Sequence, residues 1–87
     1  MKPIPRRERE TVDQVLVAYG FSPEDFEATA DEDPPSQEGS IDAWATRTVT
    51  VRRKVSGHRR RYRDLPGTAW IIDGLQLDLV AGLFGRP

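Results

Sequence analysis

The chain has 87 residues and no cysteine, so it can form one small domain without disulfides, thiolate metal sites or a cysteine nucleophile. Its net charge of −1 conceals a strong separation, with −7 in residues 1–43, +8 in residues 44–63 and −2 in residues 64–87. Small secreted domains usually need disulfides, and this chain has no cysteine, so we expect a single cytoplasmic domain, 1–87. A membrane span needs roughly 18 consecutive apolar residues, and no run in the sequence approaches that length, so we expect no membrane contact.

The first predicted element is a short helix that begins after Thr11. Thr11 is a suitable N-cap residue, Gln14 completes a capping box, and Gly20 is a suitable C-terminal cap. Helical spacing is visible in the apolar residues Val12, Val15, Leu16 and Tyr19. The preceding run, Arg6–Glu10, either extends this helix or frays.

A second short helix is predicted directly after the first, so that residues 12–30 form a helical pair. Ser22 is its N-cap, Pro23 its first residue and Asp25 its capping-box acid. Phe21 and Phe26 occupy the two positions of a hydrophobic staple. The acidic first turns of this helix would face DNA phosphates, which argues against a DNA-reading helix-turn-helix.

An acidic linker is predicted over residues 31–42, which contain two adjacent prolines, a glycine and several carboxylates. Together with the second helix, it should form an acidic surface that resembles the charge of a nucleic acid. The residues assigned to this surface are Glu24, Asp25, Glu27, Asp31, Glu32 and Asp33.

A β-hairpin is predicted after the linker, because residues 44–55 alternate with the period of a strand and residues 59–65 return as a second strand. Val49, Val51 and Val55 should share one face, with the threonines, Arg52 and Lys54 on the other. A two-residue turn at Ser56-Gly57 or Gly57-His58 keeps Tyr62 on the valine face, and the first choice places it opposite Val51.

The last predicted element is a C-terminal helix that covers the apolar face of the hairpin. Residues 69–72 fit either a third short strand or the start of this helix. The apolar stripe of the helix consists of Ile72, Leu75, Leu79 and Leu83. The predicted fold is therefore α+β, with two N-terminal helices, an acidic linker, a β-hairpin and a C-terminal helix.

No residue is predicted to be catalytic or to bind a metal or a cofactor. His58 is the single histidine and lies in or beside a tight turn, without an orienting partner in sequence. General acid–base chemistry requires carboxylates that are fixed in a partly dry cleft. The carboxylates of this sequence are instead concentrated in a predicted solvated helix and linker. We therefore expect a protein that is not an enzyme.

The basic hairpin is the strongest functional signal, because like charges that face each other across a sheet destabilise it. Its candidate binding residues are Arg52, Lys54, Arg59, Arg61 and Arg63, with Trp44 as a candidate aromatic anchor. Three sources of negative charge could offset the repulsion: an acidic protein partner, a nucleic acid, or the chain's own acidic segment.

The sequence thus predicts a non-enzymatic binding protein that acts by stoichiometric protein–protein interaction. This organisation suits an accessory regulator or inhibitor from a bacterium, phage or mobile element, an anti-CRISPR-like inhibitor being one example. The alternative is a nucleic-acid-binding module that uses the basic hairpin over residues 52–63. An unpaired strand edge on a small sheet would also allow a homodimer.

Overall fold

An antiparallel sheet of four strands forms the centre of the computed structural model, which describes residues 2–32, 47–64 and 69–87. The strands lie side by side in chain order: β1 (Lys2–Pro3), β2 (Phe26–Glu32), β3 (Arg47–Arg53) and β4 (Arg59–Asp64). Helix α1 (Arg6–Ala18) and a 3-10 turn (Pro23–Asp25) connect β1 to β2. A π-helical segment (Ile71–Gln76) continues into α2 (Leu77–Val80), and together they form the C-terminal helical segment. The predicted α+β class is confirmed.

The hydrophobic core lies between the helices and one face of the sheet, here named the inner face. Successive side chains of a strand point to opposite faces, so the inner face receives every second residue of each strand. Val49 and Val51 of β3 are fully buried there, beside Ala28 of β2 and Tyr62 of β4. The other side of the sheet, the outer face, carries polar side chains.

Helix α1 begins earlier than the capping signals predicted. Its N-cap is Pro5, and the Thr11 hydroxyl donates to the carbonyl oxygen of Arg7 inside the helix rather than capping it. Of the two alternatives for Arg6–Glu10, extension of the helix is therefore correct. The predicted C-terminal cap is confirmed, because Gly20 has a φ of 84° and the Phe21 N–H donates to the Leu16 carbonyl.

The predicted second helix is wrong, because only the 3-10 turn forms and strand β2 follows it. Ser22 makes no side-chain capping bond, and the Asp25 carboxylate instead accepts hydrogen bonds from β3 and the turn after it. All seven residues of β2, Phe26–Glu32, are paired with β3. Residues 31–32 of the predicted linker thus belong to a strand, and residues 33–42 lie outside the described residues.

The predicted hairpin forms, but its register differs by two residues. Tyr62 lies opposite Val49 rather than Val51, because four residues, 54–57, instead of two separate the hydrogen-bonded residues Arg53 and His58 at the end of the ladder. Lys54 and Val55 are in this turn, where Val55 is 75% exposed, so neither belongs to a strand face. The backbone N–H groups of both residues donate to Asp25, which explains the longer turn.

The C-terminal helical segment packs on the hairpin as predicted, but with a different apolar stripe. The buried residues are Ile71, Leu75 and Leu79, whereas Ile72 and Leu83 are 50% and 42% exposed. The i→i+5 hydrogen bonding of a π-helical segment rotates residues 71–76 relative to an α-helix, which places Ile71 rather than Ile72 on the buried side. Leu83 lies beyond the end of α2 at Val80 and so does not continue the stripe. Residues 69–72 do not form a strand; the sheet is extended by β1 and β2 instead.

Candidate binding surface

The outer face of the sheet brings together side chains from three strands. Strand β2 contributes acidic residues and a threonine, β3 contributes two threonines and an arginine, and β4 contributes arginines alone. The pairing registers place Glu27, Arg52 and Arg59 in one row, Thr29, Thr50 and Arg61 in the next, and Asp31, Thr48 and Arg63 in the third. Charge on this face therefore changes from negative along β2 to positive along β4.

Only a weak ion pair balances Arg52 within the first of these rows. Arg52 Nη1 lies 3.6 Å from Glu27 Oε1, and both side chains are about half exposed, at 46% and 51%. Exposed pairs of this kind contribute at most about 1 kcal/mol, because water and salt screen them. Within residues 2–32, 47–64 and 69–87, no salt bridge reaches Arg59 or Arg61.

The arginines of the inner face are neutralised internally, and Arg47 is the first example. Its guanidinium donates to Asp64 at 2.9 Å and also to Glu8, which in addition accepts the Trp70 indole N–H at 2.5 Å. Burial alone would lower the pKa of Arg47. The hydrogen bonds to the two carboxylates outweigh this effect, so the pKa of Arg47 lies above its ordinary value. This cluster joins α1 to the sheet and to the C-terminal helical segment.

Arg53 holds the turn region and the C-terminus in the same way. Its Nε donates to Asp25 Oδ2 at 2.8 Å, and its Nη1 donates to the carbonyl oxygens of Phe84, at 2.9 Å, and Arg86. The guanidinium carbon also lies 5.1 Å from the centre of the Phe21 ring, within the range of a cation–π contact. The hydrogen bond from Arg53 holds the pKa of Asp25 below its usual value, although desolvation opposes this shift.

Arg60 is the third arginine on the inner face, and it shares Asp78 with Tyr62. Arg60 Nε lies 3.2 Å from Asp78 Oδ2, and the Tyr62 hydroxyl donates to the same oxygen at 2.6 Å. Burial, with the hydrogen bond to Asp78, raises the pKa of Tyr62 well above its ordinary value. These contacts fix the C-terminal helical segment to β4.

The structure therefore divides the basic residues into two groups by face. Arg52, Arg59, Arg61 and Arg63 share the outer face, as the strand alternation predicted. Lys54 is separated from them in the turn. Trp44, the candidate anchor, lies outside the described residues.

The predicted acidic surface does not exist as one helical surface. Glu24 and Asp25 lie in the 3-10 turn, where Asp25 is engaged by Arg53 and the Val55 N–H. Glu27 and Asp31 lie on the outer face of β2, and Glu32 ends that strand. Asp33 lies outside the described residues.

The backbone edge of β4 is a further feature of this surface. From the sequence, an unpaired strand edge was predicted only for a two-stranded hairpin. In the described part of the chain, β4 is the last strand of the sheet, paired on one side with β3. A row of arginine side chains thus follows a strand edge. The run Arg59–Arg63 shows the arginines in the sequence, but the edge position of β4 follows only from the pairing of β3 with β2 on its other side.

Comparisons with protein-family models, with curated proteins and with solved structures gave no match for this chain. Among the described residues, no helix is both long and apolar enough to cross a membrane. Nor do three or more histidine, aspartate or glutamate side chains in those ranges gather as metal ligands. The outer face and β4 are therefore the features of the molecule that bear on its function.

Proposed function

We propose that this chain is a binding protein that acts stoichiometrically on an acidic protein partner, which it contacts through β4. The observation that carries the proposal is the contrast between two sets of arginines. Arg47, Arg53 and Arg60 are compensated by carboxylates of the chain itself, whereas Arg59 and Arg61 project from the outer face with no salt bridge in the described ranges. An external source of negative charge would relieve their mutual repulsion.

The proposal includes a non-catalytic role. The titratable groups that cluster most closely, such as Glu8, Arg47 and Asp64, hold elements of the fold together and are satisfied by one another. A role as an accessory regulator or inhibitor of bacterial, phage or mobile-element origin, for which an anti-CRISPR-like inhibitor is one model, is part of this proposal. So is a cytoplasmic location, which the absence of cysteine supports.

Nucleic acid is the second candidate partner, because Arg52 and the β4 arginines form a basic group on an accessible face. The acidic side of the same face weighs against it. A duplex that crossed the sheet would place its phosphates near Glu27 and Asp31 of β2. A partner that contacts β4 alone avoids this repulsion, which favours a protein segment.

The proposal is tested by affinity capture from lysates of the source cells, with and without nuclease. The test variant combines Arg59→Glu with Arg61→Glu, and the matched control combines Arg6→Glu with Arg7→Glu, two exposed positions at the start of α1. We expect the native chain and the control to retain the same protein in a stoichiometric complex after nuclease treatment. The test variant should retain at least about 90% less of this protein, because exposed charges at an interface control the rate at which the partners associate.

Two outcomes would contradict the proposal. Equal retention by the native chain and the test variant would mean that the β4 arginines are only a solvated face. Loss of all bound material after nuclease treatment would assign the surface to nucleic acid, in which case affinity should fall steeply as salt is raised.

A further inference from the structure

The hydrogen-bonding phase of the β3–β4 ladder determines which backbone groups of β4 face outward. The Arg53 N–H donates to the His58 carbonyl oxygen at 2.7 Å, so this is a hydrogen-bonded pair. Such pairs alternate along an antiparallel ladder, so Arg60 and Tyr62 also exchange backbone hydrogen bonds with β3. The N–H and C=O groups of Arg59 and Arg61 consequently point away from β3, toward the side of β4 on which the described residues form no strand.

The same two residues also place their side chains on the outer face. Arg59 and Arg61 therefore offer outward backbone donors and acceptors together with guanidinium groups, two residues apart. A strand added beside β4 would bond to this backbone, and its residues opposite Arg59 and Arg61 would project to the outer face as well. Acidic residues at those positions would meet the arginines directly.

A second copy of this chain is a poor occupant of the edge. Antiparallel pairing of β4 with β4 of another copy, centred on Arg61, would place Arg61 against Arg61 and Arg59 against Arg63 on one face. Like charges directly opposite each other destabilise a sheet, and edge strands commonly use such charges to prevent self-association. The homodimer that the sequence allowed is thus disfavoured at this edge.

We propose that β4 binds an extended acidic segment of another protein by β-strand addition, antiparallel to β4, with acidic residues at alternate positions opposite Arg59 and Arg61. This inference rests on the proposed function and names the chemistry of the partner. The recognised pattern is acidic residue, any residue, acidic residue, in a segment without proline at the bonded positions. The backbone supplies hydrogen bonds, and the two arginines select the charge pattern.

The probe is a fluorescein-labelled peptide of seven residues, Val-Asp-Val-Asp-Val-Asp-Val, with both ends blocked. Its control has the same composition in the order Asp-Asp-Val-Val-Asp-Val-Val, so that no two aspartates lie two residues apart on one face. Binding to the full chain is followed by fluorescence anisotropy at low ionic strength. We expect the alternating peptide to bind at least about tenfold more tightly than the control, and the Arg59→Glu, Arg61→Glu variant to lose that binding.

Backbone methylation then tests strand addition itself. Methyl groups on the aspartate nitrogens remove the N–H groups that face β4, and should weaken binding at least about tenfold. Methyl groups on the valine nitrogens, which face away from β4 in the antiparallel arrangement, should change it less than about threefold. Equal effects of the two modifications, or a larger effect at the valines, would overturn the proposal.

Failure of this inference is distinguishable from failure of the proposed function. If both peptides bind equally, or neither binds, while capture still depends on Arg59 and Arg61, strand addition is wrong and the charge-dependent protein interaction stands. If capture does not depend on these arginines, the proposed function fails and this inference fails with it.

Discussion

Gly74 shows how a single residue controls the approach of the C-terminal helical segment to the sheet. A Cβ atom at this position would lie 2.6 Å from Cδ1 of Tyr62, which is shorter than the contacts that non-bonded carbon atoms make in proteins. Tyr62 in turn stacks on Trp70, with ring centres 5.7 Å apart, so the ring has little freedom to move. The absence of a side chain at residue 74 therefore allows Tyr62 to be buried under the helix.

Substitution of Gly74→Ala tests this packing. Replacement of glycine by alanine inside a helix normally stabilises it by roughly 0.5–1 kcal/mol. Here we expect the free energy of unfolding to fall by about 1–3 kcal/mol, because the added methyl group overpacks the contact with Tyr62. The measurement is denaturant unfolding, with Val80→Ala as a control at an exposed site of the same segment. A gain in stability for Gly74→Ala would contradict the packing account.

At the scale of elements, strand β2 shows where sequence reasoning failed and why. Ser22, Pro23 and Asp25 are strong local signals for the start of a helix, and they do form a short 3-10 turn. The following segment, Phe26–Glu32, alternates apolar and polar residues, which is the pattern of a strand. Seven paired residues along β3 outweigh the local preference, and a partner so distant in sequence is not visible in a local pattern.

The hairpin was easier to predict because its two strands are close in sequence. A shift of two residues leaves every side chain on its face, so the outer position of Arg52, Arg59 and Arg61 survived an error in turn length. The turn length itself depends on Asp25, which binds the backbone of the turn from outside the hairpin. The open edge of β4 required knowledge that β3 is already paired on its other side.

Asp25 links these elements, and its altered pKa predicts how stability depends on pH. The pKa of Asp25 in the folded chain lies below its ordinary value of 3.8, mainly because Arg53 donates a hydrogen bond to the carboxylate. A lowered folded-state pKa means that the stabilisation is present above pH 3.8 and is lost as the pH falls through the folded-state value. The native chain should therefore lose stability as the pH falls below about 4.

The variant Asp25→Asn should lose less stability than the native chain over the same acid range, because it has no carboxylate to protonate at this site. The control is Glu24→Gln, an exposed neighbour in the same turn. Thermal unfolding from pH 7 to pH 2.5 measures the difference. Parallel pH profiles for the native chain and Asp25→Asn would show that this contact does not contribute to acid sensitivity.

For the whole molecule, the distribution of charge between the two faces of the sheet connects the fold to the proposed function. The inner face uses carboxylates from α1, the 3-10 turn and the C-terminal helical segment to neutralise Arg47, Arg53 and Arg60. The described helices lie on that face, and among the described residues no salt bridge reaches Arg59 or Arg61 on the outer face. The sequence shows the excess of basic residues over 44–63, but only the fold shows which of them have carboxylate partners among the described residues.

Amide hydrogen exchange of the isolated chain, measured residue by residue by NMR, tests the open edge of β4 most directly. We expect the amides of Arg59 and Arg61 to exchange at least about tenfold faster than those of Arg60 and Tyr62, after correction for intrinsic rates, because only the latter pair donates to β3. Slow exchange at Arg59 and Arg61, equal to that at Tyr62, would contradict the account, because the edge would then already be occupied.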